Sequence, residues 1–157
     1  MLYSRPSQYA IRALANLAVY PTGTFRMTSD LAQEEGIPSP YLGKILQSLA
    51  RAGVLRSQKG PGGGFALARE PKQILLIDII EAAEGTESLH SCAVGLAECN
   101  DEQPCPLHEH WKAVRDQIRE YLETTSLLEL GQALTRKKEL LGKSAVPPTR
   151  LPNPVAP

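Results

Sequence analysis

The feature that most limits the fold is a pair of short helical segments followed by a glycine-rich hairpin, all within residues 28–68. Gly36 separates the two helical segments and Gly53 follows the second, at positions where glycine commonly ends a helix. Val54 to Gln58 and Phe65 to Ala68 resemble short strands, and the intervening run KGPGGG permits the positive backbone angles of a tight ribbon tip. The pattern predicts a helix-turn-helix with a β-hairpin wing.

Residues with capping chemistry mark the beginnings of both helices. Thr28 is expected to be the N-cap of the first, and Ser39 the N-cap of the second, with Pro40 at its first position. A preceding helix over residues 4–20 and the second short helix each carry one apolar face, composed of Tyr9, Ala10, Ala13, Leu14, Leu17 and Ala18 and of Leu42, Ile45, Leu46 and Leu49. These faces predict a mainly α-helical winged-helix domain over residues 1–84.

Charge is unevenly distributed along the 157 residues. The chain is neutral overall, with 17 Lys and Arg and 17 Asp and Glu. Residues 1–72 hold nine basic and four acidic residues, a net +5, and residues 73–157 hold eight and thirteen, a net −5. The asymmetry indicates a polyanionic partner for the first half.

The outward face of the second short helix supplies the candidate contacts to double-stranded DNA. Once the leucines and isoleucine are assigned to the core, helical geometry places polar and basic residues outward, where they can meet base edges or phosphates in a major groove. Lys59 and the glycines beside it can reach a phosphate or the minor groove from the wing. The candidates are Thr28, Ser39, Tyr41, Lys44, Ser48, Arg51, Lys59, Gly60 and Gly62. A phosphate-binding P-loop is rejected because Gly-Lys-Ser/Thr is missing after the glycines.

Three cysteines form the second constellation. Cys92, Cys99 and Cys105 are separated by six and five residues, and His108 follows after two more. An odd number of cysteines in one acidic, irregular loop does not suit a secreted disulfide framework. Structural zinc commonly uses a close CxxC pair, which is missing, whereas an iron-sulfur cluster suits longer spacings and tolerates a histidine ligand. Zinc, a thiol-disulfide switch and buried structural cysteines remain alternatives.

His108 is preferred as the fourth ligand over His90 and His110, because of its spacing from the third cysteine. A thiol redox enzyme is disfavoured, since no CxxC lies beside a βαβ pattern. The cysteine loop is assigned to residues 85–109.

A long helix is expected from Leu107 to about Leu128, with an apolar seam of Trp111, Val114, Ile118, Tyr121, Thr125 and Leu128 of the kind that pairs two helices. Residues 110–135 are assigned to dimerisation, and the proline-rich residues 142–157 to a disordered tail. No segment has the apolar length of a membrane helix or the pattern of a signal peptide, so a cytoplasmic location is expected.

Four segments together carry a family resemblance: YAIRALANLA, IPSPYLGKILQSLARAGVLRSQKGPGGGFALAR, IDIIEAAEG and CPLHEHW. Over roughly residues 1–135 the chain resembles the Rrf2 family of bacterial transcription regulators, especially its iron-sulfur and nitric-oxide sensors. The resemblance implies a homodimer held by the long helix, a partly palindromic operator, and a 2Fe-2S cluster on the three cysteines and His108. A 4Fe-4S cluster, zinc or no metal are the alternatives for the cofactor, the last with a thiol or metabolite signal.

The sequence departs from the family pattern at three places. Six residues separate Cys92 from Cys99 where five are usual, and Gly43 stands where the cluster regulators carry an acidic residue, so their operator preference does not transfer. Gln8 stands where the nitric-oxide sensors supply a carboxylate ligand, which favours His108 here.

Overall fold

The computed structural model describes residues 3–85 and 87–141; the expected tail over residues 142–157 lies outside them. The described part contains six α-helices and one two-stranded sheet. In chain order these are α1 (Arg5–Leu17), α2 (Thr28–Glu35), α3 (Ser39–Arg51), β1 (Leu55–Gln58), β2 (Gly64–Leu67), α4 (Leu76–Glu84), α5 (His108–Thr124) and α6 (Leu127–Leu140). The mainly α-helical winged-helix class is confirmed.

Both helices of the helix-turn-helix begin one residue earlier than their predicted caps imply. Thr28 and Ser39 are the first helical residues of α2 and α3, and Met27 and Pro38 occupy the N-cap positions. The carbonyl of Pro38 accepts hydrogen bonds from the amides of Tyr41 and Leu42, each at 3.0 Å. Because proline fixes its own φ, Pro38 sets the entry to α3 and Ser39 is already helical.

One apolar core holds the first three helices and the wing together. The predicted α3 stripe is buried, and so is most of the α1 face. Gly36 ends α2 in the left-handed conformation, with φ of 64°. That turn lets Ile37 donate its amide to the carbonyl of Ala32 at 2.9 Å and then enter the core.

The wing is anchored to the body by a backbone bridge outside the predicted hairpin. β1 and β2 pair antiparallel, with Leu55 opposite Leu67 and Gln58 opposite Gly64. Arg26 and Phe65 exchange two backbone hydrogen bonds of 2.9 Å, so Arg26, two residues before α2, pairs with β2 outside the hairpin. Gly64 has φ of 125° and lies directly against the Arg26 carbonyl, where a Cβ atom would collide. Glycine is therefore required at the base of the wing.

The predicted long helix is interrupted. α5 ends at Thr124, Thr125 is extended, and Ser126 begins α6 through a capping box with Glu129. The amide of Leu76 donates to the Thr125 carbonyl at 2.9 Å, and the amide of Leu127 to the Ile74 carbonyl at 2.8 Å. These bonds hold the break against the start of α4. Continuation to Leu128 was wrong because a reciprocal cap starts a new helix there.

α6 returns across the winged-helix domain instead of extending α5. Gly131 is buried against Ala15 of α1 and Ala18, the residue that caps the end of α1, so the two helices approach closely. Lys138 lies 3.3 Å from a carboxylate oxygen of Glu35, the last residue of α2. Within residues 3–85 and 87–141, no helix combines the length and apolar character needed to cross a membrane.

Candidate nucleic-acid interface and thiol cluster

The exposed side of α3, with the wing beside it, forms the candidate DNA surface. Tyr41 is held by an edge-to-face contact with Tyr9, with ring centroids 5.7 Å apart. The side chains exposed along α3 are Ser39, Pro40, Tyr41, Lys44, Gln47 and Arg51. Lys44 and Arg51 give this surface its positive charge. Gly43 is half-buried and faces α2, and a Cβ atom there would lie 3.8 Å from the Cγ2 of Thr28, an ordinary van der Waals contact.

Ser48 does not lie on this exposed surface. Its side chain is half-buried, and its hydroxyl donates a 2.7 Å hydrogen bond to the carbonyl of Ala82 on α4. Gln47 occupies the outward position instead. The spacing of Lys44, Gln47 and Arg51, three and four residues apart, is the helical signal that identifies Gln47.

The wing presents a second basic element. Lys59, Gly60 and Gly62 are exposed at the tip, and both glycines have positive φ, of 88° and 71°. Arg56 on β1 was not among the predicted contacts. It is exposed, and its guanidinium lies 5.9 Å from the centre of the Phe25 ring. Arg56 therefore extends the positive surface from the tip toward the body of the protein.

The cysteine loop is tied to α5 by backbone contacts. The indole Nε1 of Trp111 donates to the carbonyl of Ser91 at 3.0 Å, and Arg115 donates to the carbonyl of His90 at 3.3 Å. The His90 ring faces Arg119, with nitrogens 3.4 Å apart. These contacts bring Cys92 back to the start of α5, and they place His90 beside arginine rather than beside the thiols.

The three thiols and one imidazole converge. All three Sγ atoms lie within 4.8 Å of one another, and those of Cys92 and Cys105 are 3.7 Å apart. The Nδ1 atom of His108 lies 3.1 Å from the Sγ of Cys99. Cys105 and His108 are buried, whereas Cys92 and Cys99 are half-buried. His110, two residues further along α5, is exposed.

The thiols differ in acidity. Hydrogen bonds from the backbone amides of Val94 and Leu96 lower the pKa of Cys92 to about 7. A hydrogen bond from the backbone of Cys105 lowers the pKa of Cys99, but burial and the neighbouring thiols outweigh it and raise that pKa overall. Cys92 is therefore the readier thiolate of these two at neutral pH.

A carboxylate lies behind the imidazole. The Nε2 atom of His108 is 3.0 Å from Oδ1 of Asp101, and the ammonium of Lys112 lies 2.7 and 2.9 Å from the two Asp101 oxygens. Lys112 first, and His108 second, hold the pKa of the Asp101 carboxyl below its usual value. Asp101 was not among the residues predicted from the sequence, because its position beside His108 depends on how the loop folds.

The donor set fits a thiophilic metal centre. Two thiolates on one tetrahedral metal ion lie about 3.8 Å apart, given metal-sulfur bonds of about 2.3 Å. The spacing of Cys92 and Cys105 is close to that value. Three thiols and an imidazole can supply four soft or borderline ligands, which suit iron-sulfur clusters and zinc alike.

A winged helix-turn-helix with a positively charged exposed helix, joined to a loop of converging thiols, is the architecture of a DNA-binding transcription regulator. The family model described as "Rrf2: Iron-dependent Transcriptional regulator" matches residues 3–133. The chain belongs to the Rrf2 family, whose members are transcription regulators rather than enzymes.

Relatives and solved structures agree with this assignment. A chain from Aquifex aeolicus, assigned to the HTH-type transcriptional regulators, is 33% identical over 132 residues, which cover 83% of this chain and 91% of the relative. The structure of CymR, the global cysteine regulator of B. subtilis, superposes with a TM-score of 0.68 at 26% identity, covering 83% of this chain and 95% of CymR. T. potens IscR superposes with a TM-score of 0.64 at 27% identity, covering 87% and 88%.

Proposed function

We propose that the protein is a cytoplasmic, homodimeric DNA-binding regulator whose affinity for a partly palindromic operator depends on a 2Fe-2S cluster. Cys92, Cys99, Cys105 and His108 would hold the cluster. The observation that carries the proposal is the convergence of three Sγ atoms within 4.8 Å, with the His108 Nδ1 atom 3.1 Å from one of them. The family's description as iron-dependent favours iron over zinc.

When bound, the cluster supplies a redox-active centre that is lost or altered by oxidation or nitric oxide. The positions of the four proposed ligands link the state of the cluster to the position of α5. Cys92 and Cys99 lie in the loop, whereas His108 is the first residue of α5 and Cys105 lies just before it. Ligation of one cluster by residues of both segments would tie the loop to the start of α5, and loss of the cluster would release the two from each other.

A packed route leads from α5 to the DNA surface. Leu122 of α5 is buried against Leu76 and Ile80 of α4. α4 in turn receives the hydroxyl of Ser48 through the Ala82 carbonyl. A shift of α5 therefore acts on α3 through α4, and a tenfold change in DNA affinity requires a coupling free energy of only about 1.4 kcal/mol.

DNA contact is assigned to the exposed α3 side chains and the wing tip. Lys44, Arg51 and Lys59 would neutralise phosphates or meet guanine acceptors, and Ser39, Tyr41 and the Thr28 hydroxyl would donate to the backbone. Gly60 and Gly62 would let the wing backbone approach a groove. Ser48 is not proposed to contact DNA; its hydrogen bond to Ala82 is proposed to couple α3 to α4.

A second subunit is assigned to the exposed apolar edge of α5. Leu107, Val114 and Tyr121 recur at seven-residue spacing, and each side chain is 45–47% exposed. Fewer residues of the predicted apolar seam are available to a partner than expected. Ile118 packs against the core of its own chain, and Leu128 belongs to α6 rather than α5. A heptad row of this kind fits the antiparallel or parallel pairing of two helices.

The test is metal analysis of anaerobically purified protein. Wild type is expected to contain equimolar iron and acid-labile sulfide and to absorb visible light, whereas Cys92→Ser, Cys99→Ser and Cys105→Ser lose both. His108→Ala is expected to weaken retention, and His110→Ala, an exposed neighbour, serves as the matched control and retains wild-type content. A colourless wild-type protein without iron or sulfide overturns the proposal.

A thiol switch is the second candidate, favoured by the 3.7 Å separation of the Cys92 and Cys105 sulfurs. A small movement of the two sulfurs toward each other would allow a disulfide, since bonded sulfurs lie about 2.05 Å apart. Peptide mass spectrometry after mild oxidation separates the candidates. A Cys92–Cys105 or Cys99–Cys105 disulfide in iron-free wild type, together with altered DNA affinity, would establish the switch instead.

A further inference from the structure

We propose that Asp101 is a positioning residue for His108, fixing which imidazole nitrogen is available to the thiol cluster. The inference rests on the proposed cluster function and deepens it. Its basis is a chain of three contacts: Nδ1 of His108 faces Cys99, Nε2 of the same ring faces Asp101, and Asp101 is held by Lys112.

The imidazole has one proton to share between two nitrogens when neutral. A carboxylate accepts hydrogen bonds and offers none, so Asp101 at 3.0 Å keeps the proton on Nε2. Nδ1 is then left with its lone pair, directed toward the Sγ of Cys99 at 3.1 Å. The contact therefore selects the tautomer that can act as a ligand on the side where the thiols converge.

Asp101 is itself held in place from two sides. Lys112, one turn along α5 from His108, contacts both carboxylate oxygens, at 2.7 and 2.9 Å. In the loop, the Asn100 side chain accepts hydrogen bonds from the amides of Glu102 and Gln103, at 3.0 and 2.8 Å, which closes a tight turn around Asp101. The carboxylate is thus fixed although most of its surface is exposed.

Asp101, His108 and Glu109 could be taken for a separate metal site, because their ligand atoms lie within 4.8 Å of one another. The Lys112 ammonium argues against this, because it contacts both Asp101 oxygens and so takes the place of a cation. The group is better described as an anchored carboxylate behind a metal ligand.

The first test uses iron-free protein. In wild type, the ¹⁵N resonances of the His108 ring are expected to show a protonated Nε2 and a bare Nδ1 near pH 8. Asp101→Asn is expected to shift the population toward the other tautomer, because an amide can also donate to Nε2. Glu102→Gln removes an exposed neighbouring carboxylate and is expected to leave the spectrum unchanged. Identical tautomer populations in Asp101→Asn and wild type would overturn the inference while leaving the proposed function intact.

The second test uses protein that holds iron and sulfide. Loss of a carboxylate behind a histidine ligand typically weakens metal retention by about 10- to 100-fold. Asp101→Asn is therefore expected to release iron to a chelator at least tenfold faster and to raise the reduction potential, because a less basic imidazole stabilises the oxidised centre less. Glu102→Gln again serves as the control.

A His108→Cys background separates positioning from general loop stability, because a thiolate ligand has no tautomer to fix. In that background Asp101→Asn is expected to have no further effect on iron release. An effect of the same size in both backgrounds would overturn the positioning role. Wild-type protein that binds no iron would overturn both the proposed function and the role of Asp101 toward a cluster. The ¹⁵N spectra of iron-free protein test the effect of Asp101 on the His108 tautomer whether or not iron binds.

Discussion

The hydroxyl of Ser48 on α3 donates a hydrogen bond to the carbonyl of Ala82 on α4, with the two oxygens 2.7 Å apart. Ala82 lies in the last turn of α4, where carbonyl groups lack partners further along the helix. Ser48 therefore satisfies one of these carbonyls with a side chain from α3. The contact joins α3, which carries the candidate DNA surface, to α4, which packs against α5.

Ser48→Ala is expected to uncouple DNA binding from the state of the cysteine site. Loss of the hydrogen bond should lower the free energy of unfolding by about 1 kcal/mol, because the Ala82 carbonyl loses its partner. Iron content should stay at the wild-type level, while the ratio of DNA affinities between cluster-bound and cluster-free protein should fall toward one. Urea unfolding and fluorescence anisotropy measure the two effects. Ser29→Ala, an exposed serine on α2, is the control, and an unchanged affinity ratio in Ser48→Ala would refute the route through α4.

Lys44→Ala and Arg51→Ala are expected to weaken DNA binding through lost charge. Each phosphate contact contributes about 0.9 to the slope of log affinity against log salt concentration, so each substitution should flatten the slope by about one unit. Titrations of a DNA fragment from upstream of the protein's own reading frame, at several salt concentrations, provide the slope. Lys137→Ala removes an exposed lysine on α6 and should leave it unchanged. Slopes that are equal in all four proteins would exclude α3 as the DNA-contacting helix.

Tyr121→Glu is expected to dissociate the dimer. The side chain is 45% exposed in the single subunit, and burial of a glutamate against a partner helix would leave an unpaired charge. Analytical ultracentrifugation should show a dimer for wild type and a monomer for the variant. Ala113→Glu places the same charge on a different side of α5 and should remain dimeric. A dimeric Tyr121→Glu protein would place the subunit interface elsewhere.

Gly64→Ala should destabilise the wing far more than a matched glycine substitution. A Cβ atom at Gly64 would collide with the Arg26 carbonyl and separate the bridge between Arg26 and Phe65. Gly53→Ala supplies the comparison, since Gly53 also has positive φ, of 75°, but has open space around it. The backbone cost alone is about 1 to 2 kcal/mol, so Gly53→Ala should lose that amount and Gly64→Ala more. Equal decreases in the free energy of unfolding for the two variants, measured by thermal unfolding, would show that the close contact between Gly64 and Arg26 does not contribute to stability.

The elements predictable from the sequence were those with one apolar face and a local stop signal. The Leu42 to Leu49 stripe and Gly36 defined α3 and the end of α2 because both act within a few residues. The break at Thr125 was missed, since apolar spacing continues across it. Ser126 and Glu129 were the local signal, a capping box that outweighs weak periodicity.

Features that depend on distant elements were beyond the sequence reasoning. Ser48 was predicted to face outward because helical geometry separates it from the apolar stripe of α3, but the packing of α4 beside it depends on tertiary structure. The pairing of Arg26 with Phe65 likewise joins segments 39 residues apart. Asp101 has no motif of its own, and only the folded loop brings it behind His108.

The most direct measurement of the central claim is the DNA affinity of one anaerobic preparation before and after removal of its iron. Fluorescence anisotropy with the upstream fragment, at fixed salt, gives both dissociation constants from the same protein. The starting material is expected to contain iron and sulfide, and removal of the iron is expected to change the affinity by at least about tenfold, equivalent to about 1.4 kcal/mol. Equal affinities of the two forms would contradict the central claim.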